Sequence, residues 1–133
     1  MAVYGISIDA WIASHMAVKN LIFTGSNFAA LHIFDSDDIL LAEILLDSDA
    51  SGIDSNGNLI LEVFSQETSA PAGGTASYAA IYSAAGDIVF SLPCIVSEML
   101  MTGFCVLDSL TIEYGDTVNA QTIVIPSGPK IYG

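Results

Sequence analysis

Asp47-Ser48-Asp49-Ala50-Ser51-Gly52 sets side-chain oxygens at alternate positions and follows them with a glycine. That is the opening half of a calcium loop, because a hard cation takes six to eight oxygens and the glycine permits the sharp turn that gathers them. The second half departs from the pattern. Position twelve is Asn58, where a bidentate glutamate would complete the shell, and position eight is Asp54, where an apolar residue is usual. Asp47, Asp49 and Ser51 are therefore a candidate for weak Ca2+ binding, set against a solvated Asx-rich turn, and no other cofactor is expected. Asp35-Ser36-Asp37-Asp38 is a second acidic turn. The two turns could share an ion only if they lay at the same end of the fold.

Other chemistry is thinly supplied. Nucleophilic catalysis needs a Ser, Thr or Cys beside a base, and the chain has two histidines. His15 lies in the N-terminal segment, and His32 sits inside the apolar run from Ala30 to Phe34. Paired carboxylates serve glycoside chemistry, but fifteen acids bring some pairs together by chance. Neither a dinucleotide nor a phosphate-loop glycine pattern is present. No catalytic residue, and no enzyme, is expected. Cys94 and Cys105 are eleven residues apart among apolar neighbours. With no other cysteine to build a disulfide framework, they read as two reduced, buried thiols.

The elements that would position these groups are short. Apolar stretches recur every eight to twelve residues between Gly, Asn, Asp, Ser and Pro, the rhythm of an all-β sandwich or barrel. About nine strands are expected: Ala2–Ser7, Lys19–Thr24, Ala29–Phe34, Ile39–Leu46, Leu59–Ser65, Ala76–Ser83, Ile88–Leu92, Cys105–Glu113 and Thr117–Ile125. Asn56-Gly57, Gly73-Gly74, Ala85-Gly86-Asp87 and Gly115-Asp116 supply the turn chemistry between them, the last two as tight hairpins. Ser97–Met101 reads as a helical turn or an irregular strand. The fold class is a single β-sandwich, jelly-roll or immunoglobulin-like, over residues 19–133. Residues 1–18 form an N-terminal arm or short helix. Trp11, Ile12 and Met16 are its candidate interaction residues, with the alternative that Trp11 plugs one end of its own sandwich.

Composition bounds the partners. The chain is 53% hydrophobic and only 13% charged, with two lysines, no arginine and a formal charge of −13. A soluble domain carries about 25% charged residues, so much of this surface is uncharged, and contiguous apolar surface marks contacts with other chains. Nucleic-acid binding rests on Lys and Arg replacing counterions and is not expected. No apolar run approaches the ~20 residues of a membrane span, and the opening residues lack the basic region of a secretory signal. An assembling subunit, most simply a homo-oligomer, is expected.

Three stretches carry a resemblance. Leu40-Leu41-Ala42-Glu43-Ile44-Leu45-Leu46 runs into an acidic, glycine-bearing turn. Gly74-Thr75-Ala76-Ser77-Tyr78-Ala79-Ala80-Ile81-Tyr82 is followed by Gly86-Asp87-Ile88-Val89-Phe90. Leu110-Thr111-Ile112-Glu113-Tyr114-Gly115-Asp116-Thr117-Val118 leads to Ile123-Val124-Ile125-Pro126. In strand and turn pattern they resemble the small β-sandwich structural proteins of tailed bacteriophage particles that decorate or cement the capsid. The resemblance implies a virion protein made in the host bacterial cytoplasm. It would bind the major capsid protein or other virion proteins by area, as a trimer that buries its strand edges. The alternative is a tail, neck or fibre module that binds a host glycan, through tyrosines such as Tyr78, Tyr82 and Tyr114, or another virion protein.

Overall fold

The computed structural model describes residues 7–127; of the expected strand Ala2–Ser7, only Ser7 lies among them. Helix α1 (Ile8–Phe23) begins at Ser7, whose hydroxyl accepts from the Ala10 N–H at 3.1 Å, with Asp9 in the first turn. Both features stabilise the positive end of a helix. Its inward face reads Ile8, Trp11, Ile12, His15, Val18, Ile22 and Phe23, spaced by threes and fours, as an amphipathic helix requires. The expected strand Lys19–Thr24 is thus overturned: the 3.6-residue period continues to Phe23, and the expected boundary at residue 18 falls inside the helix. Ile22 is fully buried in the core, and its carbonyl accepts from the Ala84 N–H at 2.8 Å. The helix is docked on its own sheet.

Among the described residues nine strands follow: β1 (Ala30–Phe34), β2 (Leu40–Ile53), β3 (Leu59–Ser65), β4 (Gly74–Thr75), β5 (Tyr78–Tyr82), β6 (Ile88–Val96), β7 (Cys105–Leu107), β8 (Thr111–Ile112) and β9 (Ile123–Ile125). Three hairpins share one five-residue turn, over residues 35–39, 54–58 and 83–87. In each, the first N–H donates to the fifth carbonyl and the fourth N–H to the first carbonyl. The fourth residue has positive φ: Asp38, Gly57 and Gly86. The first side chain, Asp35, Asp54 or Ser83, accepts from the fifth N–H. This is the Asx or Ser turn chemistry that closes a tight loop locally. It explains why so many acids sit between strands: they build turns.

Seven strands form one sheet in the order β7-β6-β5-β1-β2-β3-β9. Its two ends come together, because Gln121 donates to the Val106 carbonyl, Gly103 donates to that of Val124, and Leu107 bridges Ala120. The all-β expectation is met, apart from the helix, by a nearly closed, barrel-like sheet; a sandwich is not confirmed. Bulges at Ile33/Phe34, Leu45/Leu46 and Ile81/Tyr82 bend the strands as such curvature demands. A separate two-stranded ribbon pairs β4 with β8. Leu31, Ile33, Ile44, Leu46, Leu59, Leu61, Ile81 and Ile123 fill the interior, each at most 1% exposed and each contributing about 1.5–3 kcal/mol of apolar burial.

The C-terminal third corrects three expectations. Cys105–Glu113 is not one strand: β7 ends at Leu107, and Ser109, whose hydroxyl accepts from the Thr111 N–H, turns the chain into β8. Within Thr117–Ile125 only β9 is a strand. Val118 and Ala120 make single bridges, and the Gln66 side-chain amide both donates to the Ala120 carbonyl and accepts from its N–H, standing in for a neighbouring strand. Gly115-Asp116 is a turn, but it joins no hairpin, since β8 pairs with β4 and β9 with β3. Ser97–Met101 is irregular, following a β6 that extends to Val96.

Candidate interaction surface

Alternation along β1 sends Leu31 and Ile33 inward and leaves His32 and Phe34 half-buried on the outer face, as the two-residue period of a strand dictates. Phe34 stands directly opposite Tyr78 of β5, and their rings stack at 5.2 Å with 20° between planes. Ala80 faces His32 on that same side. Its methyl leaves room for the Tyr82 ring to reach diagonally to His32, centroid to centroid 4.2 Å. On the other side His32 pairs across to Glu43 of β2, with Nε2 2.9 Å from a carboxylate oxygen. Phe28, ahead of β1, stacks on Phe64 of β3 at 4.9 Å, although both are more than half exposed. A shallow depression between these groups is lined by Phe28, Ala30, His32, Glu43, Leu45 and Tyr82. Aromatic pairs of this geometry contribute about 0.5–1.5 kcal/mol each beyond area burial, so the surface is preorganised before anything binds it.

The β1–β2 turn rims this face with carboxylates. Asp35 Oδ1 accepts from the Asp37 and Ile39 N–H groups at 2.9 Å each, and the Tyr78 hydroxyl donates to Asp38 at 2.5 Å. That hydrogen bond, followed by lesser burial and the charges nearby, pushes the Tyr78 phenol up to about 12. The phenol is held protonated as a donor, which fixes the ring upright against Phe34.

The proposed calcium residues lie elsewhere. Asp47, Asp49 and Ser51 are not in a loop between strands but in a bulge inside β2, where the register steps from Asp47↔Glu62 to Gly52↔Ile60. Asp47 Oδ1 accepts from the Asp49 and Ala50 N–H groups. The buried Ser51 hydroxyl donates to the Asp47 carbonyl at 2.6 Å and accepts from the Glu62 N–H at 2.9 Å. Two of the three oxygen-bearing side chains are thus engaged with backbone. Among the described residues, no three His, Cys, Asp or Glu side chains group as metal ligands. The Asp35 turn opens β2 whereas the bulge lies towards its far end, so the two acidic segments do not meet.

Of the expected interaction residues, Met16 is exposed, while Trp11 and Ile12 are half-buried on the helix. The Trp11 ring lies 5.6 Å from that of His15, and its Cβ sits where a side chain at Gly57 would have to go. His15 is buried, with Nδ1 2.6 Å from the Gly57 carbonyl oxygen. Sequence reasoning missed this clip between helix and β2–β3 turn, and, although it named Tyr78 and Tyr82 as candidate contacts, it missed the aromatic face that they share with His32 and Phe34. The signal for the latter was present in the alternation of His32 and Phe34 with that of Tyr78 and Tyr82. Tyr114 is 80% exposed, in the turn after β8.

A second apolar surface follows β6. Val96, the last residue of β6, is exposed, as are Met99, by 73%, Leu100 and Met101 in the loop after it, whose start is pinned by the Ser97 hydroxyl accepting from the Met99 N–H. At the base of this loop Cys94 and Cys105 are free and buried, facing each other across β6 and β7. The hydrogen bond between the thiols, then burial, pushes the Cys105 thiol well above its ordinary range. Compared with family models, with curated proteins and with solved structures, the chain matches none.

Proposed function

We propose that this chain is a non-catalytic virion structural protein, a decoration or cement subunit of a tailed bacteriophage that binds neighbouring capsid subunits by area. The observation that carries the reading is the amount of preorganised apolar surface, namely the Phe28/Phe64 and Phe34/Tyr78 stacks and the Val96–Met101 loop, in a chain with two lysines and no arginine. Apolar patches of this kind mark protein contacts, and the resemblance of residues 39–126 points to the same class. The accompanying fold reading is a flattened barrel, in which the bulges of β1, β2 and β5 fold one sheet into two facing halves after the manner of a sandwich.

The reading predicts self-association, most simply as a trimer, with more than ~1,000 Å² buried. Analytical ultracentrifugation of the chain, with mass spectrometry of purified phage particles, tests it. A monodisperse monomer at micromolar concentration, or particles lacking the chain, would sink it. The placement of Tyr78 and Tyr82 on one outer face favours a second reading, a glycan-binding tail, neck or fibre module, since sugar rings stack on aromatic faces. Saturation-transfer NMR with host glycans, lost in Tyr82→Ala, would select that reading instead.

A further inference from the structure

Cys94 and Cys105 are register partners in the parallel β6–β7 ladder. Adjacent strands lie about 4.8 Å apart, inside the window of about 4.4–6.8 Å between Cα atoms that a disulfide spans. Their side chains turn to the same, interior side, where both are buried in the core cluster. Strand β7 has three residues. The ladder to β6 holds it on one side, and among the described residues the other side has the Leu107/Ala120 bridge and the Gln121 bond to Val106. Few backbone bonds mean a low free energy of local opening, and that opening gives a small reagent access to both thiols. The segment between the cysteines, residues 95–104, carries the exposed Val96, Met99, Leu100 and Met101, so the pair sits at the base of the apolar loop.

We propose that Cys94 and Cys105 form a reversible intramolecular disulfide by exchange with a low-molecular-weight disulfide such as oxidised glutathione, and that this bond staples both the base of the 95–104 loop and the strand that closes the barrel. Cys94 is the slightly more accessible of the two, and the proton-retaining Cys105 is the poorer first nucleophile. Cys94, as thiolate, attacks one glutathione sulfur, forming a mixed disulfide and releasing one glutathione thiolate. Cys105 then loses its proton to water, and its thiolate attacks Cys94 Sγ. The protein disulfide forms and a second glutathione thiolate leaves. Two protein thiols are oxidised, one glutathione disulfide is reduced, and the two protons released by the cysteines pass through solvent to the two glutathione thiolates. The pathway is thiol–disulfide exchange through a mixed intermediate.

The test uses the full chain, purified under reductant, exchanged against oxidised glutathione, alkylated and weighed intact without reduction. The expected product has the mass of one chain without a covalent link to another, lighter by two hydrogens and free of alkyl groups. Its melting temperature should be higher by roughly 5–10 °C, from closing a loop of this length, and a dithiol reductant should restore the original value. Cys105→Ala should instead stall with glutathione on Cys94. A wild-type chain that keeps two alkylatable thiols, retains glutathione or crosslinks between chains overturns the proposal, and so does oxidation that leaves the melting temperature unmoved. The wild-type mass alone decides whether the bond forms, even if the variant fails to fold.

Discussion

Ile22 and Leu21 are neighbours on one helix with opposite fates, and truncating each to alanine measures what the helix is for. Ile22 is fully buried in the core and Leu21 is 59% exposed. Removing a buried isoleucine side chain loses its transfer energy and leaves a cavity, about 2–5 kcal/mol together, whereas an exposed substitution stays within about 0.5 kcal/mol. Both variants gain similarly from alanine's helix propensity, so their difference isolates packing. Ile22→Ala should lose about 3 kcal/mol. With a urea slope of about 2 kcal/mol/M, its unfolding midpoint should fall by about 1.5 M, while that of Leu21→Ala stays put. Stabilities of about 5–15 kcal/mol leave the weaker variant folded enough to measure. Midpoints that agree to within the error of the two curves would refute the docking of α1 and return the N-terminal segment to the status of a detachable arm.

Gly25→Ala should destabilise by more than about 2 kcal/mol, because Gly25 has φ +150° and a Cβ there would lie 2.5 Å from the Ala84 carbonyl carbon, while Gly52→Ala, with nothing within 4 Å, serves as a near-neutral control; thermal melts compare the two. Ser51→Ala should lose about 1–3 kcal/mol by leaving the Glu62 N–H without its acceptor, and an unchanged melting curve would show that the bulge closes without it. Millimolar calcium should leave the melting temperature of the isolated chain unchanged, since a ligand stabilises only in proportion to ln(1 + [L]/Kd) and Asp47 and Ser51 are engaged with backbone; chelator sensitivity would overturn this. In a spectrophotometric titration one tyrosine should ionise last, near about 12, and Asp38→Asn should return it towards 10. Because the folded-state value is raised, this contact stabilises fully below pH 10 and is lost as pH climbs from 10 to about 12.

Much of the architecture was legible in local chemistry. Alternating runs such as Leu59-Ile60-Leu61-Glu62 marked β3, and Asn56-Gly57 and Ala85-Gly86-Asp87 marked turns, because a strand's two faces and a positive φ are written in single residues. A short helix was one of the two readings of residues 1–18, but its full span to Phe23 was missed for a physical reason. His15 interrupts its apolar face, and only the Gly57 carbonyl, forty-two residues away, makes that histidine a buried residue. The calcium-like spacing was ambiguous for the same reason: alternate oxygens suit an ion and a backbone bulge equally well, and the Ser51 hydroxyl is engaged by the Glu62 N–H on the next strand.

What the sequence determined by itself was therefore the class and the chemistry at hand: mostly β, acidic, poor in catalytic groups, with an apolar surface to cover. The tertiary structure alone decided that the sheet curls into a nearly closed barrel, that Phe34 meets Tyr78 and His32 meets both Tyr82 and Glu43, and that Cys94 faces Cys105. Strand propensity and turn type act over a few residues. Register and strand order are set by which buried faces fit one another across the whole chain, and no local stretch contains that information.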